Sequence, residues 1–199
     1  IFGKGERAAA IFLWLVLAWL FGRNPLIRNP SLPYVALLLL AHACRSALKR
    51  PGANDVTVRV VWMLLSLGYL YSGLTKLIAP SWLDGSAVEF ILRNPLARPS
   101  VLRDALLGSP LLPLLTYGTL VLEIAFPFAA LSRRLRPFVW LAMTALHLAL
   151  LVLIDFADLT FGMLLVHLYV FDPAWLRRDR KGADQRSRGA MKSHRKWAP

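Results

Sequence analysis

The sequence predicts an all-α protein, a polytopic transmembrane helical bundle of about six spans with interfacial helices in the outer loop. Three observations predict it. Hydrophobic residues make up 57% of the 199 residues and charged residues only 18%, with a mean hydropathy of +0.51. The formal net charge is nonetheless +13, so the charges must be segregated from the apolar residues. They are: the stretches 36–43, 60–70, 111–131 and 138–154 hold almost none.

A span needs about 20 apolar residues, or about 17 where the bilayer is thin. Six candidates follow one another at 8–22, 33–46, 57–78, 110–131, 137–154 and 159–171. The first has no small-residue cleavage site behind it and further spans ahead, so it reads as a span rather than a signal peptide. The second carries Cys44, the only cysteine, which excludes an intrachain disulfide and a cysteine-based metal site. The third and fourth are long enough outright. Between them the loop 79–109 is amphipathic. Trp82, Val88, Phe90, Ile91 and Leu92 alternate with Asp84, Glu89 and Arg93, while Pro95 and Pro99 break the run. Short helices lying at the membrane interface are expected there. As one helix, 138–171 would run about 51 Å against a bilayer core of about 30 Å. Asp155 and Asp158 interrupt it, so a hairpin with both aspartates at its tip yields the fifth and sixth spans. The first, second and sixth are short, and extend into polar flanks or are partly re-entrant.

Charge sets the orientation. Arg133, Arg134 and Arg136 lie between the fourth and fifth spans, and Arg45, Lys49, Arg50 and Arg59 between the second and third. From Asp172 onward nine basic residues face three acidic ones, a net of +6. Six spans bring all three segments and both termini to the cytoplasmic side of an inner or plasma membrane; Arg23 and Arg28 in the first outer loop run against the rule. The organisation expected is a transmembrane helical domain over 1–176 and a basic cytoplasmic tail over 177–199. A basic run after a last span fits contact with anionic lipid rather than nucleic acid. The expected partners are the lipid bilayer, anionic lipid at the tail, and other membrane subunits.

An ionisable residue inside a span is costly and marks a candidate site. In the third span Ser66, Tyr69, Ser72, Gly73 and Lys76 recur at steps of three and four, and so share a face. Lys76 near its outer end is either a snorkelling lysine at the headgroups or a site residue. Glu123 lies about 18 Å below the outer end of the fourth span, near the midplane, with Thr116 and Thr119 on its face. It must be protonated, paired or hydrated, and a structural hydrogen bond is the plain alternative. His147 and His167 lie about 10 and 12 Å below the outer ends of their spans. Each alone fits a helix-to-helix hydrogen bond. Together, under Asp155, Asp158 and Lys76, they form an outer-side set of polar candidates. No nucleotide-binding or zinc-protease motif occurs, and no metal-ligand spacing is present.

The segment 69–85, YLYSGLTKLIAPSWLDG, resembles the signature of the horizontally transferred transmembrane (HTTM) domain family, related to vitamin K-dependent gamma-carboxylase. The matching residues are Tyr69 or Tyr71, Gly73, Lys76, Leu77, Trp82 and Gly85. A second block, TYGTLVLEIAFP at 116–127, is similar to the family span with an embedded Glu before Phe-Pro. A third, from His147 to Phe171, is similar to its His-led segment with a Gly-Met pair, here Gly162–Met163. The resemblance is clearest over 60–176. It implies Lys76 as a base, deprotonated in the carboxylases as vitamin K hydroquinone is oxidised. No stretch matches the large lumenal region that holds the carboxylases' protein substrate, so carboxylation of a protein is not the expected activity.

The expected function is that of an HTTM-like accessory or structural subunit of a larger membrane complex. The first alternative is a quinone-linked membrane redox or carboxylase-like enzyme. Lys76, His147 and Glu123 would carry the chemistry, with Tyr69, Ser72, Gly73 and Trp82 holding a quinone or bound lipid. The second is a small transporter with Glu123 as the ion-linked group, against which stands the lack of a visible inverted repeat.

Overall fold

The computed structural model describes residues 5–23, 31–48 and 53–176, the side chains of 45–48, 53–55 and 157–158 excepted. Within them the chain is helical. In order come α1 (Glu6–Arg23), α2 (Ser31–Leu48), α3 (Ala53–Lys76), α4 (Pro80–Leu83), α5 (Ala87–Arg93), α6 (Val101–Leu107), α7 (Leu112–Leu131), α8 (Arg136–Leu153) and α9 (Ala157–Tyr169). A 3-10 turn, Pro173–Leu176, follows. The predicted basic tail, the segment holding Arg28, and the Lys49–Arg50 pair lie outside the described residues.

The helix starts are written in local chemistry. Helices α4, α7 and α8 each carry proline in the first turn, where a missing N–H costs nothing. Ser100 caps α6 by accepting the Arg103 N–H at 3.1 Å. Between α4 and α5, the Asp84 carboxylate accepts the Ser86 hydroxyl and, at 2.9 Å, the Ser86 N–H. Those bonds, the hydroxyl's first, hold the Asp84 carboxyl below its ordinary range. Gly85 takes φ +83° there, under the ring of Tyr117, which donates to the Leu83 carbonyl.

Three helices are long and apolar enough to cross a membrane: Val56–Lys76, Leu112–Leu131 and Arg136–Leu153. The other three predicted spans are helical but fall short of that standard. Helix α9 has 13 residues, about 20 Å of rise. The apolar part of α2 is Ser31–Cys44, and α1 carries Glu6, Arg7 and Arg23 at its ends. The loop 79–109 does form short helices, α4 to α6.

Packing closes a ring. Helix α3 lies along α7, α7 against α8, α8 against α9, α9 against α2, and α2 meets α3 again; α1 packs on α2. The centre is apolar and aromatic, with Leu65, Phe126, Met143 and Val166 fully buried. Trp62 stacks on Phe126 with ring centroids 5.8 Å apart, and Tyr69 tilts over the same ring at 4.7 Å. One end of the ring is covered by α4, α5 and α6, and is called the cap end below. There the Val88 N–H donates to Thr116 Oγ1 at 3.2 Å. The chain after α5 pairs with the α8–α9 turn through Asp155 N–H to Leu96 O (2.7 Å) and Arg98 N–H to Leu153 O (2.8 Å).

The α3–α7 seam depends on Gly73. A Cβ there would lie 2.7 Å from Ile124 Cγ1 and 3.4 Å from Glu123 Cβ. Gly73→Ala is therefore expected to push the helices apart and lower stability by about 1–3 kcal/mol, the usual range for overpacking. Thermal unfolding in detergent checks this. A variant as stable as the parent would mean that the two backbones do not approach so closely.

Candidate functional site

The ring brings seven predicted residues into two adjoining polar clusters. In the first, Lys76, the last residue of α3, turns toward α7 and keeps 19% of its side chain exposed. Its ammonium donates to Glu123 of α7 at 2.6 Å (Oε1) and 2.5 Å (Oε2), and to Ser72 Oγ one turn back at 2.8 Å. Its Nζ also sits 4.9 Å from the centroid of the Trp82 ring, in α4. Three elements thus hold one cation. Gly73 permits it by letting α7 come close, and Pro80 at the start of α4 swings Trp82 beneath it. Pro127, four residues after Glu123, has no N–H for the Glu123 carbonyl, so α7 lacks one ladder bond beside the carboxylate.

In the second cluster the Tyr69 hydroxyl bridges two imidazoles. It lies 2.9 Å from His147 Nε2 and 2.7 Å from His167 Nε2. The two histidine rings are 5.6 Å apart, and His147 and His167 are 6% and 0% exposed. A hydroxyl has one proton. With neutral rings it donates to one Nε2 and accepts from the other, so the two histidines must be opposite tautomers. The Nδ1 atoms of both rings are buried and have no hydrogen-bond partner among the described residues. One is then an orphan donor and the other an orphan acceptor, an arrangement that packing alone disfavours. Trp140 fixes the backbone around this cluster by donating its indole N–H to the His167 carbonyl at 2.8 Å.

Both clusters open onto one cleft of about 520 Å³, within the range of small-molecule sites. Lys76, Glu123, Ser72, Tyr69 and His147 supply its polar wall, and Leu65, Leu150, Leu159 and Met163 its apolar one.

The other candidates are elsewhere. Asp155 lies at the cap end, 73% exposed, in an ion pair with Arg98 at 3.1 Å. The side chain of Asp158 is outside the described residues. Thr116 and Thr119, expected beside Glu123, spend their hydroxyls on the Leu112 and Leu115 carbonyls of their own helix. Of the two tyrosines that fit the signature, Tyr69 is buried in the cluster and Tyr71 is 72% exposed.

Sequence reasoning missed Tyr34. It comes from α2, lines the cleft, and donates to the Leu64 carbonyl at 3.0 Å, lying over Gly68. The signal was present as the one tyrosine of a short apolar span. It also missed that Trp82 would meet Lys76 itself. No family model, curated protein or solved structure matches the chain.

Proposed function

We propose that this is an HTTM-like integral membrane protein of about six spans, both termini cytoplasmic, whose cleft exchanges a proton with a lipid-like ligand bearing an ionisable hydroxyl, such as an isoprenoid quinol. The observation that carries the reading is the cleft itself. It joins a buried Lys–Glu pair and a Tyr–His–His set to an apolar wall. Lys76 passes its proton to Glu123, and the neutral amine then accepts the proton of the ligand hydroxyl, leaving the ligand as an anion beside the ammonium. Ser72 and Trp82 keep the amine aimed. Tyr69 and His147 face the same space and supply donors and acceptors to the ligand.

The accessory-subunit reading is the second. It is favoured by the mutual satisfaction of Lys76 and Glu123, which is how a purely interhelical bond would look. It is also favoured by Phe12, Leu15 and Trp19 of α1, each more than half exposed. It leaves the cleft that joins both polar clusters to an apolar wall without a role, which is why the site reading is preferred.

Native mass spectrometry of gently solubilised protein separates the two. The site reading expects a single chain carrying a quinol-like mass, lost in the double variant Lys76→Met/Glu123→Leu, which keeps the seam filled but removes the charges. Fixed partner masses with no small ligand would reject it in favour of the subunit.

A further inference from the structure

At the end of the ring opposite the cap, a second cleft of about 620 Å³ is lined by Arg59 of α3, Arg133 of the α7–α8 turn, Arg136 at the start of α8, Trp62 and Trp175. From this cleft, and resting on the membrane reading above, we infer that the protein holds a phospholipid with an anionic headgroup. The headgroup sits on Arg59, Arg133 and Arg136, and one acyl chain lies along the α3–α7 groove.

Charge comes first. Among the described residues, none of the three arginines has a carboxylate within ion-pair distance. Asp172 also lines the cleft, but its carboxylate accepts the Ala174 N–H at 2.8 Å. Arg136 is held rigidly. Its Nε donates to the Ala130 carbonyl and its guanidinium lies 5.6 Å from the Trp62 ring centroid. Arg59 and Arg133 are exposed and face the same space. Three cations against that one carboxylate leave the cavity with a surplus of positive charge, which fits a phosphodiester.

Depth comes second. The three candidate spans begin at Val56, end at Leu131 and begin at Arg136, so the arginines lie at the level where those spans leave the hydrocarbon. Phosphates of a bilayer lie at that level. Trp140, Phe171 and Trp175 cluster at the same end, with ring centroids 5.1 to 5.7 Å apart, as an interfacial aromatic group does.

Shape comes third. The arginine cleft continues into an apolar groove of about 340 Å³ that shares Val58, Arg59, Trp62 and Arg136 with it and runs on past Met63 to Leu70 and Phe128. From Val58 to Leu70 the helix rises about 18 Å, comparable with one leaflet of a bilayer core of about 30 Å. A polar mouth opening into a leaflet-deep apolar groove fits an intact phospholipid rather than a free anion.

The test uses the full chain in nanodiscs of phosphatidylcholine with a minor share of phosphatidylglycerol, released in a native mass spectrometer. Retained phosphatidylglycerol adducts are counted for the parent, for Arg59→Gln/Arg133→Gln, for Arg133→Gln alone, and for the charge-matched cap-end variant Arg93→Gln/Arg103→Gln, whose arginines pair with Glu89 and Asp104. The parent is expected to retain phosphatidylglycerol over phosphatidylcholine. The cleft double variant should lose that retention roughly tenfold, the single variant less, and the cap-end variant under about twofold. Equal loss in cleft and cap-end variants, no loss in either cleft variant, or equal retention of both lipids by the parent overturns the proposal. A chain that never enters the nanodisc overturns the membrane reading, and this proposal with it.

Discussion

Glu123→Leu is expected to lower stability by about 3 kcal/mol, at the low end of the range for breaking a buried ion pair. The low end applies because Lys76 keeps 19% of its side chain exposed, whereas Glu123 keeps 8%. The loss comes less from the attraction removed than from the ammonium left facing an apolar cleft with only Ser72 Oγ and the Trp82 ring for company. Lys76→Met should behave alike, leaving a carboxylate without its donor. The double variant Lys76→Met/Glu123→Leu, with no charge left to solvate, is expected within about 1.5 kcal/mol of the parent. Unfolding of all four proteins in one detergent gives the coupling energy directly. A double variant whose loss equals the sum of the single losses would show that Lys76 and Glu123 do not interact. A parent-like double variant would show that the pair is not retained for stability, which is the pattern expected of a pair kept for chemistry.

The apolar runs already told where the helices lie, because segregation of charge from hydrophobic sequence is a one-dimensional property. They also predicted the turn near Asp155, from the length of the run and the aspartates that interrupt it. The spacing of Tyr69, Ser72, Gly73 and Lys76 gave one inward face of α3. What spacing could not give was the partner across the seam. Lys76 was judged by its distance from a helix end, which left a headgroup lysine and a site residue both open. Its real environment is set by Gly73, which brings α7 within reach. Likewise, similar depth grouped His147 and His167 with Asp155, yet the histidines meet Tyr69 inside the ring while Asp155 turns to Arg98. Depth is legible in a sequence, but the rotation of one helix about its axis relative to the next is fixed by packing. The arginines of the second cleft were legible only as loop charges, since their convergence needs α3, α7 and α8 side by side.

The same limit makes Tyr69→Phe an informative substitution, since it removes one oxygen and nothing else from a buried side chain. Both hydrogen bonds at that oxygen are lost, so each imidazole keeps a buried Nε2 without a partner in addition to its unpaired Nδ1. At about 1–3 kcal/mol for each buried polar atom left unsatisfied, and with some relaxation, a loss of about 2–4 kcal/mol is expected. Tyr71→Phe is the internal reference. Its ring is 72% exposed, so the change should stay within about 0.5 kcal/mol. Nitrogen NMR of labelled histidine adds a readout that stability does not carry. In the parent, one ring should be protonated at Nδ1 and the other at Nε2, because a single hydroxyl proton cannot serve two acceptors. In Tyr69→Phe nothing couples the rings through oxygen, and each should revert to the tautomer its own surroundings favour. If the parent shows the same tautomer in both rings, the bridge does not exist as drawn. If opposite tautomers persist unchanged without the hydroxyl, something else in the cleft sets them.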